Sequence, residues 1–167
     1  ADGEFLVKVD AINRSSLEVG VESLLRTPEP EKPLILALSI IKPDRMTEAI
    51  KGAVQLGVTT IIPIISERTQ HKKIAKERYE RCIIQGIEQS ERFVPTKLLP
   101  EISLTDFLKA NKAQIIAACE SEDHSKKISN INKIENEVSV LIGPEGGFSE
   151  TEIELLKSMD NVHSVSL

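Results

Sequence analysis

The chain has 167 residues, of which 40% are hydrophobic and 28% charged, a balance typical of a globular protein rather than a disordered or fibrous one. Its formal net charge of −5 argues against a nucleic-acid coat protein, yet leaves room for an enzyme with one local basic face. No apolar run approaches membrane-spanning length and no signal peptide is visible, so we expect a cytoplasmic protein without a membrane partner.

The amino-terminal segment has the pattern of a β-hairpin. Residues 5–12 and 17–25 read as strands, and the turn cluster at 13–16 separates them. Residues 27–33 contain three prolines and predict a stiff, extended linker. We therefore place a domain boundary there, between residues 1–26 and residues 34–167.

Beyond the linker, short apolar runs alternate with helical patterns. A helix over residues 43–56 has an apolar stripe of Met46, Ile50, Ala53, Val54 and Leu56, with Gly57 just past its end. Further helices are predicted at 75–90, after 103 and from 149 to about 159, and strands at 34–40, 60–65, 114–119, 138–142 and 162–167. This alternation predicts an α/β fold whose mostly parallel sheet carries helices on both faces.

A glycine-rich loop, GPEGGFS at residues 143–149, lies between a predicted strand and a predicted helix. In open α/β sheets, ligands bind beyond the carboxyl ends of strands, and glycines let a backbone approach them closely. The loop matches neither a Walker A motif nor a dinucleotide fingerprint. Because Glu145 would repel phosphates, a neutral or cationic ligand such as S-adenosylmethionine fits better. From the loop alone, a ligand loop and a tight glycine-rich turn are equally good interpretations.

Several segments, in the same order along the chain, resemble the ribosomal RNA small subunit methyltransferase E family. The specific match is LIGPEGGFS followed by a Glu-rich helix start. The segments KGAVQLGV at 51–58, IIPIISER at 61–68 and EQSER at 88–92 are also similar, although Gln55 and Glu91 depart from the usual pattern. AACE at 117–120 resembles the strand end that starts the family's cofactor pocket, and the likeness spans roughly residues 34–167.

This resemblance implies an S-adenosylmethionine-dependent methyltransferase acting on N3 of a uridine in 16S ribosomal RNA. The family belongs to the SPOUT, or α/β-knot, superfamily, so we expect a homodimer with a deep trefoil knot near the C-terminus. The expected RNA partner is 16S ribosomal RNA or the assembled 30S subunit. Residues 1–26 would be the remnant of a PUA-like β-barrel, and we expect segments to be missing at both ends of the chain.

The resemblance also implies a set of cofactor-binding residues from three loops. They are Ala118, Cys119, Glu120, Leu141, Ile142, Gly143, Pro144, Glu145, Gly146, Gly147 and Leu167. The third loop is represented only by residues 165–167, so we expect the methyltransferase domain to be incomplete at its C-terminal end. Cys119 is better explained as a small residue filling the strand end than as a nucleophile, because no His or acidic partner stands out. The scattered histidines predict no metal site.

Polar residues at two element ends are candidates for the side that contacts the RNA base. They are Arg68, Glu88, Gln89 and Arg92, and the two groups could face one cleft. Without the resemblance, solvated caps or weak surface pairs would be the better interpretation. Arg68 or Arg92 could stabilise a deprotonated uridine N3, or a carboxylate could accept its proton; the sequence leaves this choice open.

The stretch from 61 to 100 carries eight Lys or Arg against five Glu, an excess of three positive charges. These residues could contact RNA phosphates, or they could form an ordinary helix with Glu–Arg pairs such as Glu77 and Arg81. Two alternative functions stay open. One is a SPOUT methyltransferase acting on tRNA or on a ribose 2′-O, and the other is a non-catalytic RNA-binding module.

Overall fold

The computed structural model describes residues 3–29, 31–119, 128–131 and 133–166. Strands β1 (Glu4–Ile12) and β2 (Leu17–Arg26) pair antiparallel, and within the described residues they form a separate two-stranded sheet. Both predicted strands and the turn between them are confirmed. That this hairpin is the remnant of a PUA-like barrel stays a prediction.

The remaining elements alternate between strands and helices, as predicted. They are β3 (Leu34–Ser39), α1 (Pro43–Gln55), β4 (Thr60–Ile65), α2 (Lys76–Ser90), β5 (Lys97–Leu98), β6 (Ile102–Ser103), α3 (Leu104–Ala110), β7 (Gln114–Ala118), a 3-10 turn (Ile128–Asn130), β8 (Val138–Ile142), α4 (Glu150–Lys157) and β9 (Val162–Val165). The strand order is β5-β4-β3-β8-β7-β9, β6 also pairs with β4, and every pairing in this sheet is parallel. The α/β fold is confirmed, whereas the trefoil knot stays a prediction.

Two hydrophobic cores lie on opposite faces of the sheet. Successive strand side chains point to opposite faces, so Leu36 and Leu38 join the core under α1 and α2, while Ala37 joins the core under α3 and α4. Arg78 of α2 donates to Asp44 of α1 at 2.8 Å, and this hydrogen bond raises the pKa of Arg78 above its ordinary value. Within the described part of the chain, no helix is long and apolar enough to cross a membrane.

Helix α1 buries its apolar stripe, with one exception. Met46, Ile50, Ala53 and Val54 lie in the core, but Leu56 is 83% exposed, so its predicted place in the stripe is wrong. The helix ends at Gln55, and the chain then turns at Gly57, which has a φ of +93°. Leu56 therefore leaves the helical register before the turn and points to solvent.

The core role of α1 predicts an unequal response to two truncations. Ile50 is fully buried, so Ile50→Ala should lower the free energy of unfolding by about 2–5 kcal/mol through lost contacts and a cavity. Leu56→Ala truncates a similar side chain that lies in solvent, and should change the free energy of unfolding by less than about 0.5 kcal/mol. Urea denaturation of both variants measures the difference. Equal losses would contradict the placement of the helix end.

Candidate active site

The glycine-rich loop lies where the sheet topology favours a ligand site. Strands β3 and β8 are neighbours, but the chain leaves β3 into α1 on one face and leaves β8 into α4 on the other. The carboxyl ends of two strands that diverge in this way form a crevice, and ligands bind there in open α/β sheets. The loop of residues 143–149 follows β8 directly into this crevice.

The backbone of the loop favours glycine at two positions. Gly147 has a φ of +67°, and its N–H donates to the carbonyl of Pro144 at 2.8 Å, which closes a turn. A Cβ on Gly143 would stand 3.1 Å from the ring of Phe148, which is buried in the core shared with α4. The loop is therefore shaped by its own turn and anchored from below by an aromatic side chain.

Helix α4 begins directly after the loop with a complete capping box. The Ser149 hydroxyl accepts from the Glu152 N–H at 3.3 Å, and the Glu152 carboxylate accepts from the Ser149 N–H at 2.9 Å. The helix start predicted at residue 149 is confirmed. The capping box fixes the end of the loop because it satisfies backbone donors at the start of the helix.

A pocket of about 340 Å³ opens beside the loop, within the size range of small-molecule sites. Its lining contains seven of the predicted cofactor residues and three that the cofactor prediction did not include. The lining residues are Arg68, Ala118, Cys119, Ile142, Gly143, Pro144, Gly146, Gly147, Phe148 and Ile153. Ile153 follows Ser149 by one helical turn, a spacing that could have identified it. The cofactor role of these residues stays a prediction.

Four predicted cofactor residues do not line this pocket. Leu141 is fully buried, because its side chain points to the face of the sheet opposite to that of Ile142 and packs in the core under α3 and α4. The Glu145 carboxylate accepts from the backbone N–H of Lys42 at 3.3 Å, at the start of α1, which has no side-chain cap of its own. Glu120 and Leu167 lie outside the described residues.

Arg68 reaches the glycine-rich loop from the turn that follows β4. Its guanidinium donates to the carbonyl of Gly146 at 2.7 Å, and its side chain borders the pocket. The prediction placed Arg68 on the side of the RNA base. Its position puts a cation at the border of the pocket, next to the glycine-rich loop.

Arg92 has a different environment from Arg68. Its side chain is only 8% exposed, pairs with Glu31 of the linker, and donates to the carbonyls of Val54 and Val58 at 3.0 and 2.9 Å. These carbonyls precede β4, so Arg92 lies at the amino-terminal edge of the sheet, whereas Arg68 follows the carboxyl end of the same strand. Arg92 therefore holds the linker against the domain.

The other two candidates accompany Arg92 rather than Arg68. The Gln89 side-chain oxygen accepts from the Gln55 amide at 2.8 Å, and Glu88 is exposed on the same end of α2. Helix α2 runs back along the sheet to the amino-terminal edge, as a parallel crossover requires. For this reason the expectation that both groups face one cleft is not met within a single chain.

The structural position of Arg92 predicts a stability effect. Arg92→Met should lower the free energy of unfolding by about 2–3 kcal/mol, because the mutation leaves the carboxylate of Glu31 without its cation and removes one of the donors to each of the two carbonyls. Arg81→Met, an exposed change on the same helix, should have an effect below about 0.5 kcal/mol. Guanidinium denaturation compares the two, and a wild-type midpoint for Arg92→Met would exclude this structural role.

A larger groove of about 600 Å³ lies at the amino-terminal edge of the sheet beside α3. Its walls are mainly apolar and include Ile35, Ile62 and Phe107. Its lining includes the cation Lys112, but no glycine-rich loop borders it in the described part of the chain. The smaller pocket is therefore the better candidate for chemistry.

Metal-binding groups are not gathered at this site. In the ranges that the structure describes, no three His, Cys, Asp or Glu side chains lie close enough to hold a metal ion. His71 and His163 are both exposed, and His124 lies outside those ranges. The absence of a metal from the functional protein stays a prediction.

Comparison with known proteins gives consistent results. Residues 27–167 match a family model described as an RNA methyltransferase domain. The chain is 38% identical over 168 residues to Ribosomal RNA small subunit methyltransferase E of Rickettsia conorii, covering 99% of this chain and 69% of that protein. The crystal structure of the Neisseria gonorrhoeae protein of that name, bound to S-adenosyl methionine, is 26% identical with a TM-score of 0.82, covering 98% of this chain and 69% of that one. The structure of a Legionella pneumophila protein in complex with the same cofactor is 27% identical with a TM-score of 0.77. That match covers 98% of this chain and 69% of the other.

Proposed function

The chain belongs to the ribosomal RNA small subunit methyltransferase E family, and we propose that it methylates N3 of a specific uridine in 16S ribosomal RNA with S-adenosylmethionine as methyl donor. The observation that carries this proposal is the glycine-loop pocket with Arg68 at its border. Two similar structures were solved with S-adenosylmethionine bound, which supports the same ligand for this pocket.

Most of the pocket wall is uncharged, as an adenine and a ribose require. It consists of strand ends, glycine backbone and the side chains of Phe148 and Ile153, with Arg68 at its border, while the carboxylate of Glu145 is held at the start of α1. S-adenosylmethionine supplies an activated methyl group on a sulfonium. The task of the protein is then to hold two reactants in line, and effective positioning alone can contribute several orders of magnitude in rate.

Arg68 is the residue that we assign to the uridine. N3 must lose its proton before it accepts a methyl group, and a guanidinium near the base would stabilise the resulting negative charge. Arginine has five N–H donors, and the bond from Nη1 to the Gly146 carbonyl uses one of them, so other donors are left for the base. The base must also leave any stack to reach the methyl group. Arg92 is not included, since its donors hold the linker, and a substrate role for Glu88 and Gln89 stays a prediction.

Lysines beside Arg68 are our candidates for contacts with the RNA backbone. Lys72 and Lys73 are exposed and lie between the Arg68 turn and α2. We expect the double variant Lys72→Gln and Lys73→Gln to weaken RNA binding and to reduce the slope of log K against log salt by about 1.4, about 0.7 per phosphate contact in single-stranded RNA. The control pair, Lys109→Gln and Lys157→Gln, makes the same charge change elsewhere. Equal slopes for the two pairs would refute a specific phosphate contact.

The proposed target is tested by methyl transfer to competing RNAs. Purified protein is incubated with methyl-labelled S-adenosylmethionine and either 30S subunits, naked 16S ribosomal RNA or tRNA, and nucleosides are then identified by mass spectrometry. We expect N3-methyluridine from small-subunit RNA. A labelled tRNA or a ribose 2′-O-methyl product would favour the other methyltransferase alternative. RNA binding without affinity for S-adenosylmethionine would instead favour a non-catalytic module.

We also propose that the active unit is a homodimer. Sedimentation equilibrium of the protein tests this directly, with an expected mass of twice the 18.5 kDa chain. A monomer that retains full methyl transfer would refute it.

A further inference from the structure

The carboxylate of Glu152 makes one hydrogen bond more than its helix cap requires. One oxygen, Oε2, accepts from the Ser149 N–H at 2.9 Å and completes the capping box. The other oxygen, Oε1, accepts from the backbone N–H of Glu67 at 2.8 Å, across 85 positions of sequence. A capping box explains the first bond but not the second, which joins the start of α4 to the turn after β4.

That turn, residues 66–69, is held from below by buried hydroxyl groups. The Thr69 N–H donates to the Ser66 carbonyl at 3.1 Å, and the Ser66 N–H donates to the Thr69 hydroxyl at 3.0 Å. The two hydroxyls lie 2.8 Å apart, and the Ser66 hydroxyl is 3.3 Å from that of Ser39 at the end of β3. The buried side of the turn is therefore fixed to the sheet, while Glu67 and Arg68 are exposed on its other side.

Two bonds join the exposed side of this turn to the glycine-rich loop and its helix. Glu67 donates through its backbone to Glu152, and the next residue, Arg68, donates through its guanidinium to Gly146. A guanidinium on a flexible side chain positions poorly by itself, because each freely rotating bond must be ordered. A backbone bond on the adjacent residue fixes where the main chain of Arg68 lies, and the bond to Gly146 orders the side chain beyond it. Glu152 thus sets the position from which the Arg68 side chain reaches the pocket.

We infer that Glu152 is a positioning residue, which holds the Arg68 turn in register with the cofactor loop during methyl transfer. This inference rests on the proposed function, in which Arg68 contacts the base. Glu152→Gln is the sharpest test, because glutamine has nearly the same shape and is itself accepted in a capping box. Glutamine has only one oxygen, so it cannot accept from Ser149 and Glu67 with two separate oxygens.

We expect Glu152→Gln to lower kcat by about tenfold or more, as a small misplacement of a reacting group can cost about a hundredfold. Its dissociation constant for S-adenosylmethionine should stay within about threefold, and hydrogen exchange at the Glu67 amide should become faster. Two controls separate this from other effects. Ser103→Ala weakens the cap of α3, outside the glycine-rich loop, and should lower the melting temperature without changing kcat, and Glu150→Gln makes the same charge change on the same turn of α4 as Glu152→Gln.

A double-mutant cycle with Arg68→Met decides the mechanism. If Glu152 acts by placing Arg68, adding Glu152→Gln to Arg68→Met should lower kcat by less than about twofold further. An equal loss in both backgrounds, or an unchanged Glu67 amide, would overturn the inference. The cycle uses whichever RNA the wild-type protein methylates, so a different modified atom would refute the proposed target and leave this test intact. Should no RNA be methylated, an unchanged exchange rate at Glu67 would still count against it.

Discussion

Gly147→Val is expected to weaken binding of S-adenosylmethionine by about tenfold to a hundredfold. Gly147 has a φ of +67°, a conformation that costs a side-chain-bearing residue about 1–3 kcal/mol and a β-branched one most of all. A Cβ at this position would meet no heavy atom within 4 Å, so the penalty is conformational and not a clash. The variant loop must either store this strain or abandon the turn closed by the bond to Pro144. Isothermal calorimetry measures the change in affinity.

Asparagine at the same position is the matched control. It adopts positive φ more readily than other residues with a side chain, so Gly147→Asn should bind within about threefold of the wild type. Circular dichroism of both variants checks that the fold is intact. If valine and asparagine reduce affinity equally, the backbone conformation of Gly147 is not what shapes the site.

Arg68→Met should lower kcat for methyl transfer by about a hundredfold, in the range seen when one donor to a developing negative charge is removed. Methionine keeps most of the length and apolar contact of arginine but removes its charge and donors. The bond to Gly146 is lost as well, so a modest decrease in cofactor affinity, about threefold, should accompany the loss in kcat. Single-turnover kinetics with saturating cofactor isolates the chemical step.

Arg45→Met is the control for the loss of a positive charge near the sheet's carboxyl edge. Arg45 lies in the first turn of α1, is largely exposed and pairs with Glu48 at 3.2 Å, so its removal should alter kcat by less than about twofold. A uniform loss in both variants would indicate general electrostatic attraction of RNA. A loss of cofactor affinity alone in Arg68→Met would move Arg68 from the base to the cofactor.

Much of the fold was predictable because the spacing of hydrophobic residues distinguishes its strands from its helices. Strands β4 and β8 match their predicted limits, since each is an apolar run bounded by turn or loop residues. The two-residue strands β5 and β6 were missed, because so short a pairing leaves no periodic pattern to detect. Leu56 was misassigned for a related reason. Hydrophobic spacing alone does not tell where the last helical turn gives way to a glycine.

The part of the site that belongs to the glycine-rich motif was predictable from the sequence. Ile142 and the glycines of the pocket lie in or next to that motif, whereas Ala118 and Cys119 were named from the family resemblance. The contact of Glu145 with Lys42 and that of Glu152 with Glu67 join residues far apart in sequence. Local patterns in a single sequence do not predict contacts between residues that are far apart along the chain. For the same reason, Arg68 and Arg92 looked equivalent, although a crossover helix separates them by the length of a strand.

The glycine-rich loop has one more consequence, for how such a motif is interpreted in other chains. Each of its seven positions has a structural role inside the protein. Gly143 makes room for an aromatic ring, Pro144 is buried, Glu145 contacts α1, Gly146 contacts Arg68, Gly147 turns the backbone, Phe148 fills the core and Ser149 starts a helix. These structural roles would persist in a descendant that had lost its enzymatic activity. The heptapeptide is thus a signature of a loop geometry first, and a pseudoenzyme would be expected to retain it.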